Sequence, residues 1–193
     1  NNIALVWSNK GHYNKAVEYY RKALSIIANE ISPLSAGLHV NLSLAYYQQG
    51  KYTESVELAE KALQVYQKLD ISNNADIAAV YYYLSNGHIG NKDTAKAFAA
   101  QRQCLEIRKN LYGEKHRDIA MSYHGFGRVY EAIGNYARAI LYEQQALSLN
   151  KQLFGETSRQ VATSYKIIGS YQYQAQQYNE SSSTLDTSLA IIQ

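Results

Sequence analysis

Residues His116 to Thr157 read HRDIAMSYHGFGRVYEAIGNYARAILYEQQALSLNKQLFGET. Two amphipathic helical patterns fill the stretch, joined by a turn at Gly134-Asn135. The same unit recurs along the chain, which marks an array of one supersecondary element. From Ala139, steps of 42 residues lead back to Ala97 and Ser55 and forward to Ser181, and a shorter step of 39 leads to Ala16. Seven residues after each of these stands a second small residue: Ala23, Ala62, Cys104, Ala146 and Ser188. A leucine follows each one, at Leu24, Leu63, Leu105, Leu147 and Leu189. Twelve residues before each first position lies a third small column, Ala4, Ser43, Ser85, Gly127 and Gly169, preceded by Ile3, Leu42, Leu84, Phe126 and Ile168.

Close packing explains the columns. Two antiparallel helices approach to about 8–10 Å where small side chains meet. Bulky columns then fill the space between neighbouring units. The three registered columns predict an all-α stack of helical hairpins.

This pattern resembles tetratricopeptide repeats, helix-turn-helix units with small residues at these phases. The 42-residue period and the linkers Leu111 to Ala120 and Leu153 to Ala162 resemble the kinesin-light-chain type. The resemblance implies a right-handed superhelical solenoid of about five units, the first incomplete: 1–31, 32–72, 73–115, 116–157 and 158–193. It covers essentially the whole chain as one array. The sequence also departs from the family. Pro33 is the only proline, and Arg117 stands where the family's linker usually carries one. The first linker, around Asn29 to Ser32, is three residues short, the difference between steps of 39 and 42. Both ends of the chain fall within helical patterns, which predicts a piece of a larger protein.

Local signals place the helices. Ser32-Pro33 is an N-cap followed by proline at the first helical position. The patterns predict helices at 14–28, 34–49 and 53–69, a third unit starting near Asn74, and a capping box at Thr157 and Gln160. Trp7 shares its phase with Tyr46 and Tyr130 and is assigned to packing. Gly125-Phe126-Gly127 falls inside a helix with no strand before it, so it is not a phosphate loop. Asn41-Leu-Ser43 and Asn179-Glu-Ser181 match the glycosylation sequon but also sit at helical positions.

Composition bounds the function. The net charge of +3, without a Lys/Arg run, gives no support for nucleic acid. No apolar run approaches the roughly 18 residues of a membrane span, and no signal-peptide pattern opens the sequence. A cytoplasmic location without membrane contact is expected. Cys104, the single cysteine, excludes an internal disulfide and lies in a packing column. The histidines, His12, His39, His88, His116 and His124, show no metal-ligand spacing. No catalytic residues, metal or cofactor are therefore assigned, and the chain is not expected to be an enzyme.

In such arrays the resemblance assigns binding to the concave face, built from the first helix of each unit, helix A. The period writes that face as columns: Val40, Tyr82, His124 and Lys166; Asn41, Tyr83, Gly125 and Ile167; Leu44, Asn86, Arg128 and Ser170; Tyr47, Ile89, Glu131 and Tyr173. The candidate groove residues are Asn41, Leu44, Tyr47, Tyr82, Tyr83, Asn86, His124, Arg128, Lys166, Ser170 and Tyr173. Within Tyr81-Tyr82-Tyr83, Tyr81 is expected to pack while Tyr82 and Tyr83 lean to the open face. Nineteen tyrosines, against three phenylalanines and one tryptophan, suit surfaces that are half dry and half wet. Asn2 and Asn41 match an asparagine that holds peptide backbones in kinesin-light-chain-like grooves. Tyr83, Gly125 and Ile167 do not, which points to peptide binding of another kind.

His124, Arg128 and Lys166 converge as three potential cations, with Glu131 partly neutralising them. The expected partner is a protein or peptide carrying an acidic residue or free C-terminus, docked here beside Tyr82 and Tyr83. Two further readings are a regulatory or self-associating array in a bacterial-style sensor or effector, touching its own neighbouring domain, and the accessory part of an enzyme.

Overall fold

The computed structural model describes residues 2–27, 30–71 and 74–192. Among them lie ten helices and no strand: α1 (Asn2–Asn9), α2 (Tyr13–Ile26), α3 (Pro33–Gln48), α4 (Tyr52–Lys68), α5 (Ala75–Gly90), α6 (Thr94–Tyr112), α7 (Arg117–Ala132), α8 (Tyr136–Phe154), α9 (Arg159–Gln174) and α10 (Tyr178–Ile192). The fold is an all-α repeat solenoid in which odd-numbered helices are A and even-numbered helices are B. The expected end of α2 at Ala28 lies outside the described residues. The chain separates into two compact units, Asn1–Ile107 and Arg108–Gln193.

The small columns are the hairpin crossings. Ala4, Ala16, Ser43, Ser55, Ala97 and Ala139 are wholly buried. Three of the column serines donate their hydroxyls across the hairpin to a backbone carbonyl, and the Ser55 hydroxyl pairs with that of Ser43 at 3.0 Å. Ser43 Oγ reaches Ser55 O at 2.7 Å, Ser85 Oγ reaches Ala97 O at 3.0 Å, and Ser181 Oγ reaches Gly169 O at 2.8 Å. A buried hydroxyl needs such a partner, and a neighbouring helix's carbonyl supplies one at the point of closest approach. The column of leucines is less uniform: Leu189 on α10 is 57% exposed.

Each A helix ends in the same turn. The backbone N–H groups of His12, Lys51, Asp93, Asn135 and Gln177 donate to the carbonyls of Trp7, Tyr46, His88, Tyr130 and Gln172 at 2.9–3.0 Å. This is the Schellman closure, and it needs a left-handed residue just before the donor. Gly11, Gly50 and Gly134 supply it at φ of 76°, 73° and 71°. Lys92 and Gln176 occupy the same place at 61° and 63°. A side chain costs about 1–2 kcal/mol there, and glycine returns part of the gain through a freer unfolded chain. Lys92→Gly and Gln176→Gly should each stabilise the fold by about 0.5–1 kcal/mol in urea titrations. A loss of stability in both would refute this account of the turn.

The A helices start on a column that steps by 42 through Ser32, Asn74, His116 and Ser158. Their side chains accept from Ser35 N (3.2 Å), Ile77 N (2.8 Å), Asp118 N (3.2 Å) and Val161 N (3.4 Å). Ser32-Pro33 and Asn74 thus stand as expected. The cap of α9 is corrected: it is Ser158, because the extended backbone and the capping oxygen belong to that residue and not to Thr157. Each later linker is also clipped by an ion pair, Lys109–Glu114 at 3.0 Å and Lys151–Glu156 at 2.7 Å.

Successive hairpins meet through another repeated contact. Arg108, 6% exposed, donates to Ser122 Oγ at 2.9 Å and to Asp118 O at 3.0 Å. One period later Asn150 Nδ2 donates to Ser164 Oγ at 3.2 Å. One period earlier stands Tyr66, whose hydroxyl bonds to Asp76. Burial, with the Asp76 carboxylate adding to it, pushes the pKa of that hydroxyl up to about 12. Cys104 is buried in its packing column, and Gly125 and Gly127 lie inside α7.

His88 gives the fold a pH dependence. Burial holds its imidazole below the ordinary histidine range; Asp93 and Glu60 oppose this and Lys96 adds to it. The unfolded chain therefore binds more protons than the folded one below about pH 6.5. Above that pH the residue contributes nothing; below it, stability falls as the pH is lowered. The melting temperature should drop between pH 7 and pH 5, and His88→Gln should flatten the slope. An unchanged slope in that variant would exclude His88 as the source.

Candidate functional site

In the unit Asn1–Ile107, α3 and α5 carry the expected groove residues. Asn41, Leu44, Tyr47, Tyr82 and Tyr83 are all half-buried. The Tyr82 and Tyr83 rings meet edge to face at 5.8 Å, and Tyr47 leans on Tyr52 of α4 at 5.6 Å. Such ring pairs contribute about 0.5–1.5 kcal/mol beyond their buried area and hold the rings in place. Tyr81 is half-buried like its two neighbours, so burial does not set it apart. Asn86 is corrected: it is 4% exposed and belongs to the interior side of α5, not to an open face. Trp7 packs against the buried cluster of α1, α2 and α3, with Lys15 Nζ 4.1 Å from its ring centroid.

In the unit Arg108–Gln193, α9 presents Lys166, Ser170 and Tyr173, all exposed and spaced four and then three residues apart. They form one stripe along the helix, since residues three and four apart are neighbours. On α7, His124 and Arg128 are half-buried. The three side chains are not three equivalent cations. His124 Nδ1 lies 2.8 Å from Glu143 Oε2, and only 2% of the Glu143 side chain is exposed. The imidazole N–H donates to a carboxylate that α8 holds in the interior. Arg128 belongs to a second cluster around Tyr171. Burial lifts the Tyr171 hydroxyl well above the ordinary tyrosine range; Glu131 and Glu143 add to this, Arg128 opposes it, and the hydroxyl bonds to Glu131. Gly127 leaves little space beside that ring: a Cβ there would lie 3.6 Å from the Tyr171 side chain and 3.3 Å from Ala139 O.

Among the described residues no group of histidine, cysteine and carboxylate side chains could hold a metal ion, and no helix is long and apolar enough to cross a membrane.

No curated protein matches this sequence. Solved structures match its fold. BtubC (BKLC) from P. vanneervenii superposes with a TM-score of 0.80 at 20% identity, over 97% of this chain and 76% of that one. The putative kinesin light chain repeats of Podosopora anserina give 0.79 at 21%, over 98% and 92%. A Rap protein complexed with Competence and Sporulation Factor gives 0.80 at 16%, over 97% and 51%. At these identities the likeness is one of fold. The sequence itself matches the tetratricopeptide repeat over residues 1–68 and 76–152. Hairpins crossing at small residues, a turn repeated five times and this match together place the chain in the tetratricopeptide repeat family.

Proposed function

We propose that the chain is a non-catalytic, cytoplasmic protein–protein interaction module, a single array of five repeats whose A helices hold a segment of a partner protein. Its main support is the exposed stripe Lys166, Ser170 and Tyr173 on α9, with half-buried Arg128 and His124 on α7, polar and aromatic where a structural face would be aliphatic. In the other unit the Tyr82 and Tyr83 pair, with Asn41, Leu44 and Tyr47, forms the corresponding surface. The Rap relative, complexed with Competence and Sporulation Factor, supports the same reading.

The partner segment carries an acidic side chain or a C-terminal carboxylate. With His124 engaged by Glu143, the anion is met by Lys166 and Arg128 through charge-assisted hydrogen bonds. Ordering a flexible segment costs about 2–5 kcal/mol, so affinity is modest. The test starts from a partner captured by pull-down and titrated at two salt concentrations. Arg128→Ala with Lys166→Ala should weaken binding and flatten its salt dependence. A double variant indistinguishable from wild type would remove the basic contact from the proposal.

The exposed side of α1 favours a second reading, in which the array touches a neighbouring domain of its own chain or self-associates. On that helix Ile3 is 60% and Val6 52% exposed, while their column mates Leu42, Leu84, Phe126 and Ile168, and Ala45, Val129 and Tyr171, are buried. A concentration-dependent mass in light scattering separates self-association from the other possibilities.

A further inference from the structure

Helices α7, α8 and α9 enclose a cleft of about 310 Å³. Its walls are mainly apolar and include Ile167, Met121 and Phe154, the last two 37% and 41% exposed. Glu143 and His124 line it as well, bound to one another at 2.8 Å. Arg117 and Arg159 also line it, and both are exposed. They are the first residues of α7 and α9, at a phase where α3 has Pro33 and α5 has Ala75. A cation at the positive end of a helix is unfavourable, so helix stability accounts for neither arginine. Arg117 comes within 3.8 Å of the Asp118 carboxylate.

We propose that this cleft binds a small organic acid, its apolar body seated between Met121, Phe154 and Ile167 and its anionic group on Arg117 and Arg159. The volume is at the lower end of the range for small-molecule sites, about 300–1,000 Å³, and mostly apolar walls with a few convergent charges are their usual make-up. Guanidinium groups bind a carboxylate or sulfonate through paired N–H donors. The cleft shares His124 and Ile167 with the face read as the partner groove, but Arg117 and Arg159, on which the assignment rests, lie outside that groove.

The probe is 8-anilinonaphthalene-1-sulfonate, titrated by fluorescence into the whole chain, with decanoate and decyltrimethylammonium as competitors. One saturable site is expected, displaced by decanoate and not by the ammonium. Arg117→Gln with Arg159→Gln should raise the dissociation constant about tenfold or more. Thr163→Trp, at an exposed position lining the cleft, should abolish binding by filling it. Lys10→Gln with Lys22→Gln removes the same charge from the other unit and should change nothing. Circular dichroism melts confirm that each variant is folded. Absence of a saturable site, variants that bind like wild type, or equal competition by the ammonium would each overturn the proposal. So would displacement of the dye by a blocked pentapeptide containing Leu-Asp but not by decanoate, which would make the cleft a peptide subsite.

Discussion

Ala139→Leu is expected to destabilise the protein by about 1–3 kcal/mol, the range for inserting methylenes into a packed core. Ala132→Leu should cost less than about 0.5 kcal/mol, as surface changes usually do. Ala139 is wholly buried at the crossing of α7 and α8, whereas Ala132 is exposed at the end of α7. A single Cβ on Gly127 would already approach the Ala139 carbonyl oxygen to 3.3 Å. In a chain of this length each kcal/mol shifts the melting temperature by about 2–4 °C, so a thermal melt resolves the pair. Equal losses in the two variants would show that the assigned crossing is wrong.

His124→Leu should be costly for a different reason. It removes the donor from a Glu143 carboxylate that is 1% exposed as a residue, and a buried acceptor left without its partner costs about 1–3 kcal/mol, more when charged. Glu143→Gln should cost less, because the amide keeps an acceptor for the imidazole and His124, 31% exposed at its side chain, still reaches water. Replacing both by leucine should recover much of the loss, since an apolar pair needs no partner. Urea midpoints for the three variants check the order. If His124→Leu proves as stable as wild type, the pair is not a structural bond.

The crossings were legible in the sequence because the physics repeats there. Every hairpin must close at the same place, so Ala139 and Ser55 serve one requirement and share one phase. The caps were equally legible: stepping by 42 from Asn74 reaches His116 and Ser158, and following that column would have prevented the choice of Thr157. The candidate site was legible only in part. Lys166, Ser170 and Tyr173 are exposed as their phase implies. Glu143 was not foreseen, because its column runs Tyr20, Ala59, Gln101, Glu143, Leu185 and no common chemistry marks it. Its pairing with His124 joins two helices across 19 residues, a distance at which periodicity carries no information. Asn86 was misplaced for a related reason. A phase names the side of a helix, but the depth of a given side chain depends on what its neighbours leave uncovered.

The five-fold turn also sets where this chain tolerates changes of length. Between the first two hairpins the linker has lost three residues, a step of 39 in place of 42, while the spacings of twelve and seven within every hairpin are unchanged. An added or deleted residue inside a helix would rotate everything beyond it by about 100° and carry the small side chains away from the crossing. A change in the linker moves the next hairpin as a whole and leaves its internal register intact. Insertions, tags and loop grafts therefore belong between hairpins, and never between the Schellman turn and the crossing that it sets.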